Sequence, residues 1–237
     1  DTLEYDNGAS ASLYSDSAAG ANSVIASGIR TYTKPGTSDT VKTYVRTRIK
    51  GEINLFTNSE NFTLTGWQDI NSVITVDNTI APDGSMTGNK LQQNSGQTNA
   101  DLSNLRDVGL TSTSGTVYTI SMYAKISANR NFLMINDHIS ENFFRKTWFN
   151  LSTGTVGTTY SSHNASISDE GNGWYRCSIT VTSTVTNTDS IIMFGPAETD
   201  GTHVITDNQG SLFLWGGMLN EGPNLRRYIK TEASVST

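Results

Sequence analysis

The chain has 237 residues and a formal charge of −6, from 16 Lys and Arg against 22 Asp and Glu. No basic run is longer than the two residues of Arg226-Arg227, and a groove that follows phosphates needs a denser positive stripe, so nucleic acid is excluded as the expected partner. The single cysteine excludes an intrachain disulfide or thiolate metal site, and no apolar stretch is long enough for a membrane helix, so no membrane insertion is expected.

The first 51 residues differ in composition from the rest. Residues 8–28 are small, polar and weakly periodic, so they are not expected to fold alone. Residues 41–49 alternate between an apolar and a basic face, which predicts an amphipathic strand. The Lys-Pro-Gly turn at 34–36 predicts a hairpin between this strand and residues 23–33. We expect residues 1–51 to be a stem, docking or oligomerisation segment.

From residue 52 onward, the sequence predicts strands separated by turns. The clearest is 117–126, where Tyr118, Ile120, Met122, Ala124 and Ile126 share one face. About eight to ten strands follow one another with no helical period, which predicts a sandwich or jelly roll. The other predicted strands lie at 53–56, 73–76, 90–92, 131–136, 146–151, 171–182, 191–195 and 211–219.

The last of these strands, 211–219, is apolar on both faces, which predicts a central position with both sides buried. Gly216 and Gly217 interrupt its side-chain row and predict a bulge. Cys177 is in phase with apolar neighbours on its strand, so we expect a small buried hydrophobe rather than a reactive thiol. The tryptophans Trp148, Trp174 and Trp215 are expected in the core.

Six short motifs occur in a recognisable order along this part of the chain: 54–62 with Trp67, 81–84, 118–125, 149–154, 173–176, and 214–222 with Tyr228-Ile229. Together they resemble the carbohydrate-binding-module-like jelly-roll domain of bacteriophage tail fibres, tailspikes and related virion proteins. The resemblance covers about residues 52–231. The chain departs from it at Met218 and Asn220, where the family usually has Gln and Glu.

The resemblance implies an all-β fold: a two-sheet antiparallel jelly-roll sandwich over 52–231, with an extended N-terminal segment (1–51) and a tail at 232–237. It implies a phage virion structural protein at the virion surface, in a tail fibre, tailspike or other tail or capsid appendage. Its partners would be other virion proteins and bacterial surface polysaccharide, and it would be a homotrimer that mediates host-surface glycan attachment or virion assembly. Two alternatives stay open: a glycan-binding module of a secreted bacterial enzyme or adhesin, and a capsid-decorating protein without ligand.

No catalytic motif surrounds the three histidines, so we do not expect an enzyme, and no cofactor is expected to be required. Aromatic rings beside amide and charged groups suit sugars, and they give these candidate ligand-binding residues: Tyr123, Lys125, Asp137, His138, Phe143, Phe144 and Arg145. Jelly-roll glycan-binding modules often hold a structural calcium ion, and oxygen ligands for it would come from Glu60, Asp83 and Glu221.

Overall fold

The computed structural model describes residues 25–33, 40–48, 53–96, 104–139, 145–205 and 210–232. They belong to two compact units, of which one ends at Ile53 and the other begins at Asn54. In the first unit, β1 (Ile25–Thr33) pairs antiparallel with β2 (Thr40–Arg48), which confirms the predicted hairpin. The role expected for residues 1–51 stays a prediction.

The described part of the second unit is built from strands and turns, and none of its segments forms a helix long and apolar enough to cross a membrane. Its strands are β3 (Trp67–Ile70), β4 (Ser72–Thr79), β5 (Gly88–Gln93), β6 (Asn104–Ser112), β7 (Val117–Ala128), β8 (Phe132–His138), β9 (Arg145–Asn150), β10 (Thr155–Thr159), β11 (Asn164–Gly171), β12 (Trp174–Thr182), β13 (Asn187–Ala197) and β14 (Ser211–Glu221).

These strands form two antiparallel sheets of six strands each. The first sheet has the order β10-β9-β8-β13-β6-β3, and the second sheet has the order β11-β12-β7-β14-β5-β4. The central four strands of each sheet, β9-β8-β13-β6 and β12-β7-β14-β5, are joined so that the chain passes repeatedly from one sheet to the other. This is the connectivity of a jelly roll, and it confirms the fold class predicted from the sequence.

The space between the sheets is filled by side chains from alternate strand positions, as a sandwich requires. From β7, the predicted face of Tyr118, Ile120, Met122, Ala124 and Ile126 points inward and packs in this interior. Cys177 on β12 lies in the same interior, and burial raises the pKa of its thiol, which makes it a packing residue as predicted.

Strand β14 is central, with β7 on one side and β5 on the other. Both of its faces are buried, as its two-sided apolar sequence predicts, except at the half-buried Phe213 and the exposed last residue Glu221. Its register against β7 shifts between Trp215 and Met218, so Gly216-Gly217 forms the predicted bulge. Gly216 has a φ of 62°, and a Cβ there would lie 2.9 Å from the Tyr123 ring, so the bulge requires glycine at this position.

The three tryptophans expected in the core are buried, but they do not lie between the sheets. Trp148 packs on the outer face of the first sheet, and Trp174 and Trp215 pack on the outer face of the second. Only Trp67 joins the interior, where its ring lies 4.8 Å from Phe62. Each outer face therefore carries an apolar layer of its own, which strand alternation alone does not reveal.

The predicted strand at 53–56 is wrong, because residues 53–66 form turns. Asn54 explains the irregular path. Its Nδ2 donates to the carbonyl oxygens of Gly217 and Ile229, and its Oδ1 accepts from the backbone N–H of Phe56 and Leu219. The side chain thereby fixes this turn to β14 and to the C-terminal segment 222–232 at the same time.

Candidate ligand-binding face

A row of side chains crosses the outer face of the second sheet, at one position on each of five neighbouring strands. The strand registers place Trp174 opposite Lys125, Lys125 opposite Phe213, Phe213 opposite Lys90, and Lys90 opposite Thr75. Directly opposite residues lie on the same face of a sheet, so these five side chains point the same way. We call Lys125, Phe213 and Lys90 the Phe213 strip.

Next to the strip, four aromatic rings form a closed layer. The Tyr123 ring lies 5.1 Å from Trp215 and 6.0 Å from Tyr228, and Trp215 and Tyr228 are 4.7 Å apart. Trp174 belongs to the same cluster. Three of the four rings are buried, with exposures of 7% for Tyr123, 1% for Trp174 and 3% for Trp215, and Tyr228 is half-buried. The rings of the layer form a rigid base for the strip and offer little surface themselves.

The connection between β4 and β5 covers part of this layer. Trp174 Nε1 donates to the carbonyl oxygen of Ile80 at 3.0 Å, and Trp215 Nε1 donates to Thr87 Oγ1 at 2.9 Å. The same connection turns Ile80 and Met86 toward solvent, with 57% and 56% exposure. The two indole hydrogen bonds therefore hold a loop with two exposed apolar side chains against the outer face.

Arg176 is buried in this face beside the aromatic layer. Its guanidinium carbon lies 5.1 Å from the centre of the Tyr123 ring, and its Nη2 donates to Ser121 Oγ at 3.1 Å and to Met218 Sδ at 3.6 Å. The sulfur is a weak acceptor, at a position where the family resembled by the sequence usually has Gln. The pKa of Arg176 is lowered, because the effect of burial is larger than the opposite effect of the neighbouring Tyr123 and Glu170.

The Phe213 strip is the open part of the face. Phe213, Lys90 and Lys125 are all half-buried. Within the described chain, neither lysine makes an ion pair or a hydrogen bond through its ammonium group. The stem of Lys125 passes Gly173, where a Cβ would lie 3.6 Å from its Cε, so the lysine chain lies along the backbone rather than extending freely into water.

The sequence-predicted ligand residues do not form one site. Tyr123 and Lys125 lie on the outer face of the second sheet, whereas Asp137, His138 and Arg145 lie on β8 and β9 of the first. Phe143 and Phe144 lie outside the described residues. The Arg145 guanidinium sits 5.7 Å from the centre of the Tyr160 ring. The pKa of His138 is lowered, because the effect of burial is larger than the opposite effect of Asp137 and Asp189.

Asp137 belongs to a buried cluster that the sequence spacing did not indicate. His163 Nε2 lies 2.7 Å from Asp137 Oδ2, and His163 Nδ1 lies 2.9 Å from Thr147 Oγ1. An acid, an imidazole and a hydroxyl in this order resemble a nucleophile with its base. The side chains of Asp137 and His163 are both 0% exposed, so the cluster is a buried part of the fold. The cluster ties the turn after β10 to the first sheet.

The three predicted calcium ligands have other contacts. Glu60 pairs with Lys230 at 3.0 Å and accepts from the Tyr228 hydroxyl, and Asp83 Oδ1 accepts from the backbone and the hydroxyl of Ser85. Across the described residues, no group of three or more His, Cys, Asp or Glu side chains is placed to hold a metal ion. Glu221 is the exposed last residue of β14. Calcium binding stays a prediction.

Sequence reasoning missed Phe213 and Lys90 as candidates. Phe213 sits in a run that is apolar on both faces, so nothing local marks its side as the one that stays partly open. Lys90 is 35 residues from Lys125 and 123 from Phe213 by their numbers in the chain. Only the β5-β14-β7 pairing makes them neighbours. The one available signal was the alternation of β7, which correctly placed Lys125 outward.

Comparisons with known proteins give structural neighbours only. No family model matches the chain, and no curated protein matches it. The CBM22-1–GH10 modules of Clostridium thermocellum xylanase 10B, solved with xylohexaose, match with a TM-score of 0.41 at 12% identity, over 74% of this chain and 28% of that one. The CBM22-2 xylan-binding domain from Paenibacillus barcinonensis matches at 0.42 and 8% identity, over 72% and 98%. The CBM22-1 domain of the same enzyme matches at 0.39 and 11%, over 73% and 94%. The two Paenibacillus neighbours are xylan-binding domains, whereas the Clostridium structure joins a CBM22 module to a GH10 module.

Proposed function

We propose that the second unit is a polysaccharide-binding module and that the Phe213 strip is its binding site. The observation that carries the proposal is the position of Phe213, a half-buried ring on a central strand with a lysine directly opposite on each neighbouring strand. An aromatic ring offers a flat apolar face to the C–H groups of a sugar, and the ammonium groups beside it donate hydrogen bonds to the oxygens.

The surroundings of the strip suit binding rather than chemistry. It is part of a six-stranded sheet, and the closed aromatic layer next to it keeps its backbone in place. The row from Trp174 to Thr75 contains no carboxylate, imidazole or thiol that could act as an acid, base or nucleophile. A shallow site on a sheet face binds weakly per copy, so such a module gains strength from several copies acting together.

The same module fits two of the settings that the sequence leaves open. In a virion appendage it would attach the particle to a glycan on the host surface, and in a secreted enzyme or adhesin it would hold the chain on a polysaccharide. The attachment role in a virion, the partner virion proteins and the trimer stay predictions that follow from the sequence resemblance.

Replacing Phe213 by Ala tests the proposal. We expect Phe213→Ala to lower affinity for a bound polysaccharide at least about tenfold, because the stacking surface is lost. Binding is measured by affinity gel electrophoresis against a panel of soluble neutral and acidic polysaccharides, followed by titration calorimetry. The matched control is Phe132→Ala, which removes another half-buried phenylalanine from the first sheet. Unchanged binding by a folded Phe213→Ala protein, or equal loss in the control, contradicts the proposal.

A further inference from the structure

We infer that the polysaccharide is acidic and that Lys90 and Lys125 bind anionic groups carried by every second sugar. This inference rests on the proposed function and specifies its ligand. It follows from the spacing of the two lysines, from their charge environment, and from the cost of covering them with a neutral ligand.

The spacing is set by the sheet. Lys90 on β5 and Lys125 on β7 are each directly opposite Phe213 on β14, so the backbones of the two lysines are two strand spacings apart, or about 10 Å. The Lys125 stem leans toward Gly173, away from Phe213, and a lysine stem is flexible enough to bring its ammonium group back over its own strand. This distance is comparable with the length of a disaccharide. A glycan that lies across the strands would place one sugar over Phe213 and the anionic groups of alternate sugars near the two ammonium groups.

The charge environment also favours an anion. The chain carries a net charge of −6, yet the Phe213 strip holds two cations with no carboxylate between them. Arg176 adds a third cation one row away, opposite Tyr123 on the same face. Glu170 raises the pKa of both Arg176 and Tyr123, so one acidic group lies toward the β11–β12 end of the face. The strip is therefore a local positive area on an acidic molecule.

A neutral glycan would fit this arrangement poorly. Covering the strip removes water from two ammonium groups that have no counterion in the described chain. Desolvating a charge without pairing it costs free energy, whereas a carboxylate or sulfate group on the ligand supplies the opposite charge. A lysine acts as a compact point charge on a flexible stem, which suits anions whose exact position varies along a polymer.

The test compares polymers that differ in charge. Hyaluronan carries a uronate on every second sugar and polygalacturonate on every sugar, while fully methyl-esterified polygalacturonate keeps the backbone of the latter without its charge. We expect the full chain to bind hyaluronan at least as well as polygalacturonate. It should bind the methyl ester at least about tenfold more weakly than polygalacturonate. Binding to hyaluronan should be lost at about 1 M salt, where charges are screened beyond about 3 Å.

Variants separate the lysines from the ring. Lys90→Gln and Lys125→Gln should each weaken hyaluronan binding about tenfold and reduce its salt dependence, while Arg106→Gln, which removes one charge from the first sheet, should not. If polygalacturonate and its methyl ester bind equally well, or if neither lysine substitution weakens binding, the acidic-glycan inference is overturned. If Phe213→Ala still abolishes binding in that case, the proposed function survives. If neither acidic polymer binds, the inference falls, and if no polysaccharide of the panel binds, both fall.

Discussion

At the scale of single residues, the interior of the sandwich contains one carboxyl group with a strongly shifted pKa. Asp107 on β6 is directly opposite Trp67 and Ile192, which both pack between the sheets, so its side chain points the same way. Burial raises the pKa of Asp107 to about 8. The folded protein therefore keeps this group neutral over a pH range in which the unfolded chain ionises it.

This shift predicts a pH dependence of stability. A raised pKa means that the folded state binds a proton that the unfolded state releases, so the stability falls as the pH rises from about 4 to about 8. Below this window both states are protonated and the penalty vanishes. Asp107→Asn keeps the shape without the ionisation, so it should match the wild type near pH 4 and be more stable at pH 8, by an upper limit of about 6 kcal/mol. Urea denaturation at several pH values measures the difference, and equal stability of the two proteins at pH 8 contradicts it.

At the scale of elements, the C-terminal segment 222–232 covers the aromatic layer on the outer face of the second sheet. Tyr228 packs on Tyr123 and Trp215, and its hydroxyl lies 2.7 Å from Ser59 Oγ. The backbone of Thr231 donates to the same Ser59 Oγ. A segment without regular secondary structure thus holds the turn after Asn54 and the aromatic layer together, so the base of the Phe213 strip depends on it.

Asn54 connects the turn at 53–66 to β14 and to the C-terminal segment, so its replacement should lower the free energy of unfolding. Asn54→Ala leaves two backbone N–H groups and two carbonyl groups without their side-chain partner in a buried site. We expect a loss of about 3 to 5 kcal/mol in the free energy of unfolding. Asn61→Ala in the same turn is the control, because Asn61 Oδ1 accepts only from Thr63 in an exposed position. Urea unfolding curves compare the two, and similar losses for both variants would show that Asn54 is no special anchor.

Elements were predictable from the sequence where one face is apolar and the other polar, or where both are apolar. The alternation of β7 and the two-faced sequence of β14 gave their positions and the orientation of β7. Strands β3, β6, β10 and β11 were not predicted. Strands β3, β10 and β11 lie at sheet edges and have mostly exposed side chains, so their sequences show little apolar periodicity. Strand β6 lies inside the first sheet, but Asp107 occupies one of its interior-facing positions and breaks the apolar pattern. Among the candidate site residues, Lys125 was found because β7 alternates, whereas Lys90 and Phe213 required knowledge of strand pairing.

At the scale of the whole molecule, the jelly roll leaves two outer faces, and this chain uses them differently. On the first sheet, Trp148 donates to the carbonyl oxygen of Thr202 and lies under the chain that follows β13. On the second sheet, the loop between β4 and β5 and the segment 222–232 cover only the aromatic layer and leave the Phe213 strip half open. Contacts between residues far apart in the chain decide which outer face is covered. Sequence periodicity reports only local alternation, so it cannot predict this difference between the faces.

The second unit should fold and bind without the first. The contacts within this unit begin at Asn54, and a unit of about 180 residues is large enough to form one hydrophobic core. A chain that starts at Ile53 should therefore keep the melting temperature and the polysaccharide affinity of the full chain, apart from avidity. A chain that starts at Thr57 lacks both the Asn54 hydrogen bonds to β14 and the buried Phe56 ring, and it should melt at least about 10 °C lower. Calorimetry of the three chains measures this. Failure of the longer fragment to fold would show that residues before Ile53 contribute to the stability of the sandwich, and equal melting of the two fragments would show that the folding unit does not need residues 53–56.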